Sequence, residues 1–177
     1  MIRSLVRIVR FIMRRTVLFL VNMLAAPPDI MAIQGIRCLL MRIIGFRVGS
    51  GSQLSENLYV FDGRNFQAGV QCRLGSFCRI WDFFTITIGD NLLASHGLTL
   101  ISGTHFLDEA RTSRPGSISI GNNVWIGVNV TIIGPATVGD NTVIGANSLV
   151  LGSLESNSVY AGSPAKLIRK VDTVTIG

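Results

Sequence analysis

The stretch Ile120–Gly152, IGNNVWIGVNVTIIGPATVGDNTVIGANSLVLG, returns an aliphatic residue every six positions: Ile120, Ile126, Ile132, Val138, Ile144 and Val150. An amphipathic helix repeats at about 3.6 residues and a strand at about 2, so a sixfold period fits neither. Something must turn the chain inside each hexad. Asn122, Asn123, Gly127, Asn129, Gly134 and Pro135 supply the turns, with Gly139, Asp140, Asn141, Gly145 and Asn147 repeating the pattern. Gly, Asn and Asp tolerate the backbone angles of a corner. Each hexad is then a short strand plus a corner, and successive turns stack at the spacing of neighbouring strands, about 4.7–4.9 Å. The pattern predicts an all-β solenoid.

The same frame runs upstream. Ile88, Ala94 and Leu100 open the hexads IGDNLL, ASHGLT and LISGTH, and the next in-frame residue is Ile120. Three hexads make one triangular coil, so 88–105, 120–137 and 138–155 read as coils of 18. The 14 polar residues FLDEARTSRPGSIS (106–119) are then an insertion at one corner, outside the core. Before Ile88 the frame loosens. Val48, Leu54, Val60 and Phe66 keep the spacing, and Leu74, Ile80 and Ile86 resume it after a slip of two, which predicts earlier, less regular coils over 48–87. The solenoid domain is expected over 48–162, with 163–177 a short C-terminal tail or helix.

A chain of 177 residues, 48% of them hydrophobic, suffices for one domain with a true core. Cys38, Cys72 and Cys78 show no CxxC spacing and cannot all pair, so a disulfide framework is not expected and a reducing compartment is. A buried thiol is the ordinary fate of such cysteines, against a cysteine nucleophile as the alternative. The net charge of +6 is unevenly placed. Residues 1–47 hold eight arginines against Asp29 alone, giving +7, and 48–177 hold eight basic and nine acidic residues, giving −1. A nearly neutral solenoid excludes nucleic acid laid along it on charge grounds.

The amino-terminal residues 1–47 form a separate helical segment. Arg3, Arg7, Arg10 and Arg14 lie at helical spacing on one face. The apolar run Thr16 to Ala26 is too short to span a bilayer, and Pro27 and Pro28 stop it. A second helix follows, with Asp29 as its N-cap and Gly45 as its stop, leading into the solenoid and covering its open end. Three readings of residues 1–26 compete: a packing helix with a solvated arginine face, attachment to the anionic inner face of the cytoplasmic membrane, and a cleaved signal peptide. Spread arginines speak against the last, so the chain is expected in the cytoplasm.

The chain has two histidines. His105 closes LISGTH at the root of the 106–119 loop, a good station for a general base, whereas His96 sits at a corner of an uninterrupted coil and reads as a surface histidine. With ITIGDN, SGTH, SISIGNNVWIGVNVTIIGPATVGDNTVIGANSLV and VYAGSPAKLIRK in view, residues 86–170 resemble the hexapeptide-repeat acyltransferases, nearest to the galactoside, maltose and O-antigen O-acetyltransferases. The resemblance implies a left-handed parallel β-helix, a homotrimer with active sites between subunits, and acetyl-CoA as donor without a metal.

It further implies that His105 is the catalytic base and that Trp125, Val128 and Ala146 line the cofactor groove. Leu151 and Gly152 occupy the groove position where the family often has Thr-Lys, and Lys166 and Arg169 the places of basic residues near the nucleotide phosphates. Asp82, Asp108 and Glu109 stand as acceptor-side or imidazole-orienting carboxylates. Phe106 replaces the proline that often follows the histidine. The expected activity is acetyl transfer to a hydroxyl of a saccharide, an envelope polysaccharide or its precursor. N-acetylation of an amino sugar or drug, a zinc hydratase and a trimeric scaffold are the alternatives. The zinc site would want three histidines.

Overall fold

The computed structural model describes residues 2–23, 31–105 and 110–171. Two helices, α1 (Ile2–Met23) and α2 (Met31–Ile43), precede a run of short strands. These are β1 (Arg47–Val48), β2 (Gln53–Leu54) and β3 (Tyr59–Val60) in the first coil, then β4 (Phe66–Ala68), β5 (Arg73–Leu74) and β6 (Arg79–Trp81) in the second. The third coil holds β7 (Ile86–Ile88), β8 (Leu93–Ala94) and β9 (Thr99–Ile101), followed by a hairpin of β10 (Thr104–His105) and β11 (Ser113–Arg114). The later coils are β12 (Ile118–Ile120), β13 (Trp125–Ile126), β14 (Thr131–Val138), β15 (Val143–Ile144), β16 (Leu149–Leu154), β17 (Ser158–Ala161) and β18 (Lys166–Lys170).

Pairing is parallel from coil to coil and builds three faces of a left-handed β-helix. The first face stacks β1, β4, β7, β12 and the end of β14, and the second stacks β2, β5, β8, β13, β15 and β17. β3, β6, β9 and the start of β14 make the third. Every hexad-opening aliphatic residue points inward: Leu54, Ile80, Leu100, Ile126, Ile132, Ile144 and Val150 are fully buried. A second inward set four residues on, Leu58, Leu92, Leu98, Val124 and Val130, completes the core, so the sixfold period is the packing period.

The register explains the looser early frame. Val48 pairs with Ala68 and Ala68 with Ile88, so the first two coils are 20 residues long, while Ile120 pairs with Val138, 18 residues on. Ala68, not Phe66, is therefore the in-frame partner of Val48. The two extra residues sit at the third corner each time, and both Phe66 and Ala68 turn inward. The insertion begins and ends elsewhere than its polarity suggests. Its stem is the antiparallel pair β10–β11, in which His105 lies opposite Ser113. Gly116 and Ile118 are already buried in the next coil, so 116–119 belong to the core.

Corners one and two use left-handed backbone, supplied most often by asparagine and elsewhere by Gly51, Gln71, Phe77 and Gly97. Asn57, Asn91, Asn123, Asn129, Asn141, Asn147 and Asn157 all have φ between 53° and 57°. At the first corner their amides form a ladder: Asn91 donates to Asn123 at 3.1 Å, Asn123 to Asn141 at 3.1 Å, and Asn141 to Asn157 at 2.9 Å. The short side chain tolerates the strained φ and satisfies its neighbour in the next coil.

The ends are closed. α2 crosses the first coil, where Arg37 is fully buried and donates to Leu54 O at 3.0 Å, and Arg42 donates to Val48 O at 2.8 Å. Its stop is Gly45, at φ +92°, with Gly45 N–H on Arg42 O and Phe46 N–H on Met41 O, the paired bonds of a Schellman ending. Asp29, the expected N-cap, lies outside the described residues. At the other end the described part of the tail, 163–171, forms a strand instead of a helix. β18 pairs antiparallel with β17 and covers the last strand of the second face.

Candidate functional site

The third corner varies along the coils, and it carries the candidate site. In the second coil Asp82, fully buried, accepts from the N–H groups of Asp62 at 2.8 Å, Gly63 at 2.7 Å and Asn65 at 3.2 Å. Burial pushes its carboxyl up from the usual carboxylate range, and these donors pull against that. Its lone pairs are spent on stapling two coils together. Asp82 is therefore a structural carboxylate, and the expected acceptor-side role does not fit it. Asp108 and Glu109, with Phe106, lie outside the described residues.

In the third coil Ser102 and Gly103 prepare the hairpin. Ser102 Oγ is 2.7 Å from Phe84 O and 3.0 Å from Trp81 O, and accepts from Phe84 N–H at 3.0 Å. Gly103 has φ +130°, and a Cβ there would stand 2.9 Å from the Phe84 ring. No other residue fits, because the backbone must pass over that ring in a conformation L side chains avoid. The chain then enters β10 and delivers His105, exposed, to the corner.

His105 Nδ1 lies 2.6 Å from the backbone oxygen of Arg111 on the returning limb of the loop. Beside the imidazole is a cavity of about 570 Å³ lined by Phe83, Phe84, Ile101, Gly103 and Ile133 among others. A shallower groove of about 440 Å³ adjoins it and shares Thr104 and Ile133, running past Gly134, Pro135, Leu151 and Gly152. The histidine thus lines an apolar chamber, and its neighbour Thr104 lines both the chamber and the open groove. Phe83 and Phe61 pack with ring centres 4.7 Å apart, and Trp81 lies 4.8 Å from Tyr59, so an aromatic stack continues from the chamber toward the first coil.

The sequence-derived residues divide into two groups. Leu151 and Gly152 join His105 at the third corner. Trp125, on the second face, is 53% exposed, and Val128 and Ala146 stack at the second corner one coil apart, linked by Asn147 N–H on Val128 O at 2.8 Å. Arg169 is paired with Val159 on that same second face and Lys166 with Ala161, both exposed. Within one chain, then, Trp125, Val128, Ala146, Lys166 and Arg169 belong to a different face from His105. Sequence reasoning missed Ser102, Gly103, Phe84 and the Arg111 carbonyl. The only signal for them was the two-residue lengthening of the early coils, which marks the third corner as irregular.

The remaining candidates resolve simply. His96 Nδ1 accepts from Ser76 N–H at 3.1 Å, which is a corner bond. The three thiols are free and buried, and burial raises all three, Cys78 to about 11, which leaves no nucleophilic thiolate at neutral pH. Among the described residues no cluster of three or more His, Cys, Asp or Glu could hold a metal ion.

The comparisons with known proteins bear on the fold and the family. The family model "Bacterial transferase hexapeptide (six repeats)" matches residues 117–152. Galactoside O-acetyltransferase of Escherichia coli K12 is 37% identical over 71% of this chain and 64% of its own length, so the chain spans somewhat under two thirds of that relative. Among solved structures, a galactoside acetyltransferase in complex with coenzyme A is 31% identical with a TM-score of 0.69, covering 89% of this chain and 78% of the other. A maltose O-acetyltransferase from Clostridium difficile 630 is 26% identical with a TM-score of 0.72, covering 89% and 84%. By its repeat, its coil and these likenesses, the chain belongs to the hexapeptide-repeat acetyltransferase family.

Proposed function

We propose that this chain moves an acetyl group from acetyl-CoA to a hydroxyl of a saccharide, with His105 as general base. The observation that carries the reading is the 2.6 Å contact from His105 Nδ1 to the Arg111 carbonyl oxygen. A carbonyl can only accept, so Nδ1 keeps the ring proton and Nε2 is left with its lone pair. That nitrogen takes the proton of the acceptor hydroxyl as its oxygen attacks. Acetyl-CoA supplies the electrophile, a thioester carbonyl. As the new C–O bond forms the C–S bond breaks, and the proton held by His105 passes to the departing sulfur, which returns the imidazole to neutrality. The Arg111 carbonyl steadies the imidazolium between the two transfers.

The acceptor class rests on the chamber and on the relatives. Phe83 and Phe84 present flat apolar surface beside His105, suited to the C–H face of a sugar ring, and two similar proteins are named for galactoside and maltose. The donor is expected along the groove past Leu151 and Gly152, and the second-face residues Trp125, Val128, Ala146, Lys166 and Arg169 suit its pantetheine and phosphates. Because these lie on another face, a homotrimer that sets one chain's third corner beside a neighbour's second corner completes the site. A cytoplasmic setting, with an envelope polysaccharide or its precursor as acceptor, goes with the same reading.

The experiment is thiol release from acetyl-CoA against a panel of saccharides. His105→Ala should lower turnover about 10²–10⁴-fold, with acetyl-CoA affinity and melting temperature kept. An unchanged rate removes His105 from the chemistry, and activity confined to amino sugars moves the acceptor atom from oxygen to nitrogen. Light scattering that finds an active monomer would end the shared-site arrangement.

A further inference from the structure

We propose that α1 lies in the plane of an anionic lipid surface, apolar side down, and holds the solenoid against it. The helix is fixed in rotation by its inner side. Val17 and Leu18 are buried, Arg14 pairs with Asp62 at 2.6 Å, and Asn22 bonds the backbone of Leu58 in both directions, at 3.1 and 3.3 Å. Arg14 therefore faces the protein. Of the arginines expected on a solvated face, Arg14 turns to the protein and Arg10 is exposed, and apolar Val17 and Leu18 share the inner side with Arg14.

The outward side is apolar. Ile8, Val9, Ile12, Met13, Phe19 and Leu20 are between 41% and 62% exposed. At roughly 100° per residue they fill an arc of about 150°. One polar residue interrupts it, Thr16, and its hydroxyl donates to Ile12 O at 3.0 Å, so it brings no unmet donor into an apolar medium. Arg10 and Arg15, both exposed, flank the arc, Arg15 about 20° beyond Ile8 and Arg10 about 60° beyond Met13. Apolar floor and cationic rims are the arrangement of a helix that sinks its lower half among acyl chains while its charges meet head groups.

Length and charge choose the occupant. The 22 residues of α1 extend about 33 Å, and no described helix is long and apolar enough to cross a membrane. α1 carries no acidic residue, and residues 1–47 total +7. A second copy laid symmetrically on the arc would bring arginine rims against arginine rims, whereas an anionic leaflet complements both. The inference does not depend on the acyl-transfer reading.

The test is flotation of the full chain with phosphatidylglycerol-containing vesicles and with pure phosphatidylcholine vesicles. The chain should float with the former and come off as salt rises. Ile12→Glu/Phe19→Glu should weaken vesicle binding about tenfold or more while acetyl-CoA affinity and melting temperature stay put. Arg10→Glu/Arg15→Glu, which keeps the arc, should remove the preference for phosphatidylglycerol. A wild-type chain that floats with neither vesicle overturns the proposal, as does an arc variant that floats like wild type. Loss of oligomer mass in the arc variant, with no vesicle binding by wild type, assigns the arc to a second copy.

Discussion

The first two corners of the solenoid and its third corner are built from one chain on opposite principles. Corners one and two repeat: a tight turn with one residue, most often asparagine, in the left-handed region, and the same length each time, with an amide ladder along the first. The third corner changes along the chain. It is lengthened by two residues in the first two coils, opens into the His105 hairpin in the third, and runs straight through as β14 in the fourth. A parallel stack needs only that inward residues meet inward residues, so any corner that preserves register is free to vary. Two corners hold the coil, and the third is free to carry the proposed base.

The largest break in that division is His105→Ala, expected to abolish most turnover and leave stability alone. Asp82→Ala should do the reverse. It strips the acceptor from buried N–H groups of Asp62 and Gly63 and from that of Asn65, at a cost of about 3 kcal/mol. The cost is held down because the buried carboxylate already carries a desolvation penalty. Thermal or denaturant unfolding would read it, and a variant as stable as wild type with altered kinetics would return Asp82 to the site. Asn141→Ala tests the repeating corners. It removes two ladder bonds and puts alanine at φ +55°, costing about 1–2 kcal/mol without touching turnover. Loss of activity at unchanged stability would mean that the corners are not separable.

What the sequence discloses follows the same line. The six-residue period is set by packing, which is local and repeats, so Ile120 to Val150 reveal the coil, its inward row and its stacking direction. The third corner has no repeat to average over. The two extra residues near Phe61–Asn65 and Trp81–Thr85 pass for a slip in the frame, and Ile118 hides inside a polar segment although it is core. His105 is visible because it is one of two histidines and stands beside a loop. Its partner is not, because a backbone carbonyl at Arg111 leaves no mark in composition. The arginine spacing of α1 is plain in sequence, but which side faces the solenoid depends on Asp62 and Leu58, some forty residues on.

The smallest effect concerns how α1 is held to the solenoid. Asp62 receives the Arg64 guanidinium on both oxygens at 2.7 Å and Arg14 at 2.6 Å. Hydrogen bonding by Arg64 first, and by Arg14 next, lowers its carboxyl from 3.8 to about 2. A depressed carboxylate stabilises the fold above its unfolded value and loses that stabilisation as pH falls through the folded one. The contribution should be whole above about pH 4 and gone below about pH 2. Because the group is partly in water, about 1 kcal/mol is expected after screening. Hydrogen exchange along α1 separates this from general acid unfolding: between pH 4 and pH 2 its amides should lose protection before those of the β13–β15 stack. Asp62→Asn should lose that pH dependence, and Arg14→Ala should retain the part owed to Arg64. If the helix and the stack lose protection together in the wild type, α1 is held by Val17, Leu18 and Asn22 alone, and the ion pair is incidental.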